Sequence, residues 1–82
     1  MKYIIVIEKR AKKFIQKQPA DQIKRILAAL ACLPHQGDIK PLKGTPDVFR
    51  LRVGDYRILY RVEHEILTVI VIDAGNRGQI YK

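Results

Sequence analysis

Residues 48–62 read VFRLRVGDYRILYRV, and their alternation decides the fold. Two runs of period-two patterning split by Gly54-Asp55 predict a β-hairpin with a two-residue turn. The strands are expected over Val48–Val53 and Tyr56–Val62. Counting outward from the turn sets Val53 opposite Tyr56, Leu51 opposite Ile58 and Phe49 opposite Tyr60. All six are apolar or aromatic, so this face is expected to pack on the rest of the domain. The other face then carries Arg50, Arg52, Arg57 and Arg61, with Arg52 directly opposite Arg57. Like charges opposed in this way destabilise a strand pair. The arrangement is costly unless an anion sits there; the plainer alternative is a solvated charged face.

Outward from the hairpin, Glu63, His64 and Glu65 mark a second turn, and Ile66–Ile72 reads as a third strand. Asp73-Ala74-Gly75-Asn76 reads as a further turn, leaving Arg77–Tyr81 for a short last strand. On the N-terminal side, residues 34–46 hold three of the four prolines and two of the five glycines, and are expected to form a loop. Before it, Ile23, Ile26, Leu27, Leu30 and Ala31 recur at helical spacing up to about Leu33. Pro34 ends that helix. Pro19 separates it from an earlier one over residues 9–17, whose apolar stripe is Ala11, Phe14 and Ile15. Residues 2–8, KYIIVIE, read as an opening strand, and the unbroken apolar run at 4–7 suggests cover on both faces. The expected fold is a single α+β domain over residues 1–82: strand, helical hairpin, then an antiparallel meander of three or four strands.

An 82-residue chain buries only about 60% of its unfolded surface, which excludes large folds and two-domain enzymes. Sixteen Lys and Arg against eight Asp and Glu give +8, and point to a polyanion or an acidic protein as partner. From residue 50 onward the balance is six basic against four acidic, only +2. Yet Asp55, Glu63, Glu65 and Asp73 all fall in or beside the expected turns and off the arginine face. Residues 1–33 carry eight basic and two acidic side chains. Lys9, Lys12, Lys13, Lys17 and Lys24 either form an ordinary solvated helix face or rest on a large polyanion. Cys32 is the one cysteine, so no disulfide closes within the chain. Cys32 and His35 have C-x-x-H spacing but no second pair of ligands, so no metal and no cofactor is expected, and Cys32 reads as a small buried thiol. Without a long apolar run or a signal segment, a soluble cytoplasmic protein with no membrane contact is expected.

LKGTPDVFRLRVGDYRILYRV over 42–62, followed by AGNRGQIYK over 74–82, resembles the RelE-type toxins of bacterial and archaeal toxin–antitoxin modules. The opening strand, basic helical hairpin and loop match the family's order. The resemblance implies a RelE-like fold and a metal-independent endoribonuclease that enters the ribosomal A site and cuts mRNA there. It implies a RelB-type antitoxin as partner, with the ribosome, its mRNA and its rRNA as target. Carried over residue by residue, the paired basic positions after the L-K-G loop match Arg50 and Arg52. The arginine of the next strand matches Arg57, the late arginine Arg77, and the C-terminal tyrosine Tyr81. Lys43 matches the basic residue before the loop glycine. Lys13 and Arg61 are further candidates for nucleic-acid contact. The chain departs from the family's best-studied members in carrying Arg50 and Arg52 at two positions where those members resemble lysine.

The residue types suit attack of a 2′-hydroxyl on the adjacent phosphorus. Arginine forks hold phosphoryl oxygens as their charge grows. Arginine stays protonated and is a poor base, so Tyr81 is the matched residue able to move a proton. His64 titrates more conveniently, but is expected at a turn remote from the Arg52–Arg57 end. Two other readings keep the scaffold: a ParE-type toxin that inhibits DNA gyrase, and a noncatalytic basic module that binds RNA or the ribosome.

Overall fold

The computed structural model describes residues 2–76. Its strands are β1 (Ile4–Ile7), β2 (Asp38–Pro41), β3 (Val48–Val53), β4 (Tyr56–Glu63) and β5 (Thr68–Asn76), and its helices α1 (Lys9–Gln16) and α2 (Ala20–Ala31). The strands form one sheet in the order β1-β5-β4-β3-β2. Strands β2 to β5 are an antiparallel meander, and β1 joins β5 in parallel at the far edge. This is the expected α+β arrangement, with one strand more in the meander than its minimum.

The hairpin register is the one the alternation predicts. Val53 pairs with Tyr56, Leu51 with Ile58, Phe49 with Tyr60, and Arg52 with Arg57. Gly54 has φ +57° and Asp55 does not share a positive φ, which is the pattern of a turn with glycine at its first central position. Leu51, Val53, Tyr56, Ile58 and Tyr60 are buried with Val69, Val71 and Ala74 of β5. Both helices lie on that face: Ala11 and Ile15 come down from α1, Ile26 and Leu30 from α2, and Leu33 from the turn after it. Tyr56 ties the hairpin to the helix break. Its hydroxyl donates to Gln18 Oε1 at 3.1 Å, and its ring meets Phe14 edge-on at 5.9 Å between centroids.

Five expectations are corrected. Residues 34–46 are not all loop, because 38–41 form β2. Proline is tolerated there because β2 is an edge strand, where one row of N–H groups has no ladder partner. The Asp73–Asn76 stretch is not a turn. It continues β5, which a bulge carries past its own alternation: Leu59 pairs with Asp73 but Tyr60 with Val71, so Ile72 is the extra residue. The bulge returns Ala74 to the core face. Strand β1 is covered on one face only, and Ile4 and Val6 are 64% and 44% exposed. Cys32 is exposed, not buried, because the core side of this stretch is taken by Leu30 and Leu33. Finally, the acidic residues are not all off the arginine face, as set out below. The expected strand over Arg77–Tyr81 lies outside the described residues.

Leu30 is 1% exposed at the centre of this core. Leu30→Ala is expected to cost about 2–5 kcal/mol. The whole domain has only about 4–12 kcal/mol on the usual per-residue range, so urea unfolding should show a much earlier midpoint at unchanged slope. Tyr60 supplies a second test. Burial of its ring raises the phenol pKa from 10.0 to about 12. The folded state therefore favours the neutral phenol, and that stability is complete below pH 10 and lost as pH climbs toward 12. Tyr60→Phe should remove this alkaline slope from a series of unfolding curves between those two values.

Candidate functional site

The sheet face away from the helices is organised in cross-strand rows. Nearest the hairpin tip, Asp38, Arg52, Arg57 and Gly75 stand side by side across β2, β3, β4 and β5. The next row is Lys40, Arg50, Leu59 and Asp73. Farther along, Arg61 neighbours Val48 and Ile70, and Glu63 neighbours Thr68. Strand alternation places these positions together, and the two-residue turn fixes which rows meet.

Three of the rows hold carboxylates, which corrects the expected sorting by sign. Asp38 arrives on β2, whose existence the sequence concealed. Its Oδ1 accepts from Arg50 Nη2 at 3.3 Å, diagonally across the pair. Glu63 belongs to β4 and accepts from Arg61 Nε at 3.3 Å. Asp73 belongs to β5; its Oδ1 accepts from the Ala74 N–H at 2.9 Å, and its Oδ2 is 3.8 Å from Arg10 Nη1.

The arginines therefore differ in what they can still bind. The Arg50 side chain is only 10% exposed, and its Nε is buried without a hydrogen-bond partner among the described residues. Arg61 is half-exposed and ion-paired. Arg52 faces Arg57 directly, while the carboxylate next to it on β2 is engaged by Arg50. No ion pair of Arg52 is found among the described residues. Lys43 joins this group from the β2–β3 loop: with Lys40 and Arg50 it lines an open cavity of about 280 Å³. Lys13 does not join it, because α1 packs on the opposite face of the sheet and Lys13 is exposed there. Arg77 and Tyr81 lie outside the described residues.

His64 is at the end of β4 farthest from the hairpin tip, as expected. It opens a short 3₁₀ turn, and the Tyr3 hydroxyl is 2.9 Å from its Nδ1. Three residues of consequence were not singled out in the sequence: Asp38, Lys40 and Arg25. For the first two, the signal available was the Asp-x-Lys alternation ahead of Pro41, which matches the row spacing of β3. No group of three or more His, Cys, Asp or Glu able to hold a metal occurs among the described residues. No described helix is long and apolar enough to cross a membrane.

The family model for the ParE toxin of type II toxin–antitoxin systems, parDE, matches residues 5–81. The chain belongs to the RelE/ParE superfamily of toxins. RelE1 of Methanocaldococcus jannaschii is 30% identical across all of this chain and 98% of its own length. The toxin RelG of Mycobacterium tuberculosis is 33% identical across all of this chain and 99% of its own. Among solved structures, the toxin–antitoxin complex RelBE2 of M. tuberculosis superposes with a TM-score of 0.80 at 26% identity, over 94% of this chain and 100% of that one. The protein is a RelE-like toxin of a type II system.

The rows predict opposite stability effects for two neighbouring arginines. Arg50→Ala strands Asp38 and opens a packed site, and should destabilise by about 1–3 kcal/mol. Arg52→Ala relieves a like-charge opposition, so its melting temperature should hold or rise. Thermal melts of the two variants at low salt check both, and a large loss in Arg52→Ala would make that arginine structural.

Proposed function

We propose that this toxin is a metal-independent endoribonuclease that cuts mRNA in the ribosomal A site. The observation that carries the reading is the Arg52–Arg57 opposition at the hairpin tip. Two arginines directly opposed in register on neighbouring strands, with the carboxylate beside Arg52 accepting from Arg50, put positive charge where a phosphoryl group can be held. In the reaction the substrate 2′-oxygen attacks the adjacent phosphorus. The new O–P bond forms as the bond to the 5′-oxygen breaks. The 2′-hydroxyl gives up its proton, and the departing 5′-oxygen takes one. The products are a 2′,3′-cyclic phosphate and a 5′-hydroxyl. Arg52 and Arg57 hold the non-bridging oxygens, whose negative charge grows in the transition state. Arg50, already engaged by Asp38, fixes the β2–β3 edge and adds charge from below. Lys43 and Arg61 meet flanking phosphates, and Lys13 belongs to a separate basic surface on the helices. Arg77 adds a further positive group, and Tyr81 moves the proton or orients the 2′-hydroxyl.

The partner in the cell is a RelB-type antitoxin. Its acidic and apolar residues complement the +8 charge of this domain. The family match is to ParE toxins, which favours one second reading, inhibition of DNA gyrase without RNA cleavage. Primer extension on an mRNA in a translation extract separates them. The nuclease gives codon-spaced cuts that vanish when ribosomes are omitted. A protein that gives no cuts but blocks gyrase supercoiling is of the ParE type.

Tyr81→Phe tests the proton step. It should lower the single-turnover rate on programmed ribosomes about a hundred- to ten-thousandfold while leaving ribosome binding nearly intact. If the ring only stacks on a base, Tyr81→Phe stays within a few-fold of the unaltered protein and Tyr81→Ala is the severe variant.

A further inference from the structure

Arg25 stands on the exposed side of α2, beside the buried Ile26. Its guanidinium nevertheless lies over the hairpin tip. A Cβ placed on Gly54 would stand 2.9 Å from its Nη1, 3.1 Å from Cζ and 3.3 Å from Nη2. Glycine at position 54 thus serves two ends: it allows the positive φ of the turn and leaves room for a guanidinium across it. Among the described residues Arg25 makes no ion pair. The acid best placed by helical spacing is Asp21, four residues earlier, but that carboxylate accepts from Gln22 Nε2 at 3.1 Å. Arg25 and Arg52 line one cavity of about 390 Å³ with Cys32, Gln36, Gly37 and Gly54, and no acidic residue lines it.

An arginine of α2 and one of β3, at the sheet's hairpin end, thus both border one cavity, and neither has an ion-pair partner among the described residues. Gathering like charges is unfavourable in the free protein, so the arrangement suits an anion that the fold does not itself provide. The fork geometry of arginine and the continuity with the row Arg52–Arg57 favour a phosphodiester. We propose that Arg25 and Arg52 hold a backbone phosphate of single-stranded RNA next to the one bound on the sheet face. The strand then passes over the Gly54-Asp55 tip toward α2, following a continuous positive track. The inference rests on the ribonuclease reading in taking RNA as the strand.

The probe is a single-stranded RNA carrying 2′-O-methyl at every ribose, which cannot be cut. Its affinity for the full-length toxin, free of antitoxin, is measured across a salt series. Arg25→Gln should weaken binding about tenfold or more, the worth of one charge-assisted contact. It should also lower the slope of log affinity against log salt by about 0.7, the share of one phosphate contact in a single strand. Arg25→Lys should keep the slope, and Lys24→Gln, its neighbour on the same helix, should leave both quantities unchanged. Arg25→Gln with unaltered affinity and slope overturns the proposal, as does absence of RNA binding by the unaltered toxin at low salt. Polyglutamate that binds as tightly as the RNA also overturns it, since the patch then reads charge alone. If Arg25→Gln behaves as expected but primer extension shows no ribosome-dependent cuts, the phosphate site stands and the nuclease reading falls. Normal cuts with no effect at Arg25 give the reverse.

Discussion

The two-residue turn at Gly54-Asp55 is the constraint on which the rest depends. A strand has side-chain period two, so the length of a hairpin turn sets which face every residue takes. Here it sends Leu51, Val53, Ile58 and Tyr60 to the helices and four arginines to the other side. A slip of one residue would exchange the two sets. It would bury guanidiniums against Ile26 and Leu30, at a cost the domain could not meet. The turn is held from both sides of the chain. Tyr56, the first residue after it, bonds Gln18 at the break between the helices, and Arg25 covers Gly54 from α2. The helices therefore do more than close the core, because they clamp the element that sets the arginine register.

Carboxylate placement then separates the arginines by role. Four cations on one sheet face would be equivalent if no acid were near. Asp38 and Glu63 break that equivalence by engaging Arg50 and Arg61, at 3.3 Å in each case. Arg50 is thereby drawn into the structure. The pair next to the tip keeps its opposition, with the β2 carboxylate beside it turned away. Among the described residues, Arg52 is thus left without an ion pair on a face where Arg50 and Arg61 have theirs.

Most of the fold was legible because β3 and β4 alternate cleanly and their turn has a sequence signature. The rows of the arginine face followed from counting alone. What was hidden has physical reasons. Strand β2 carries Asp, Lys and Pro, which are rare in strands; its place at the edge lets it accept them, and edge position is not written in local sequence. The end of β5 reads as a turn in the sequence because Asp-Ala-Gly-Asn is turn chemistry. Pairing with β4 from Tyr56 to Leu59 overrides that preference, at the cost of a bulge. Missing β2 meant missing Asp38, and so the difference between Arg50 and Arg52. Arg25 is inconspicuous in the sequence for another reason. On the helix it is one more exposed cation, and only the tertiary fold brings it to the hairpin tip.

These features also bear on stability. A chain of this length has a small core and a stability of about 4–12 kcal/mol, so an opposed Arg52–Arg57 pair at the cost of a few tenths to one kcal/mol is a visible share. Replacing Arg52 by a neutral residue would recover it. A sequence under selection for stability alone would have little reason to hold both. On the proposed reading the binding of an anion reverses the account, because an anion at the tip offsets the repulsion between opposed positive charges. Any ligand supplying negative charge at the tip, whether a phosphodiester or an acidic side chain of an antitoxin, stabilises the folded domain in proportion to its affinity. On that reading, the opposition that weakens the free domain is what an anionic ligand at the tip relieves.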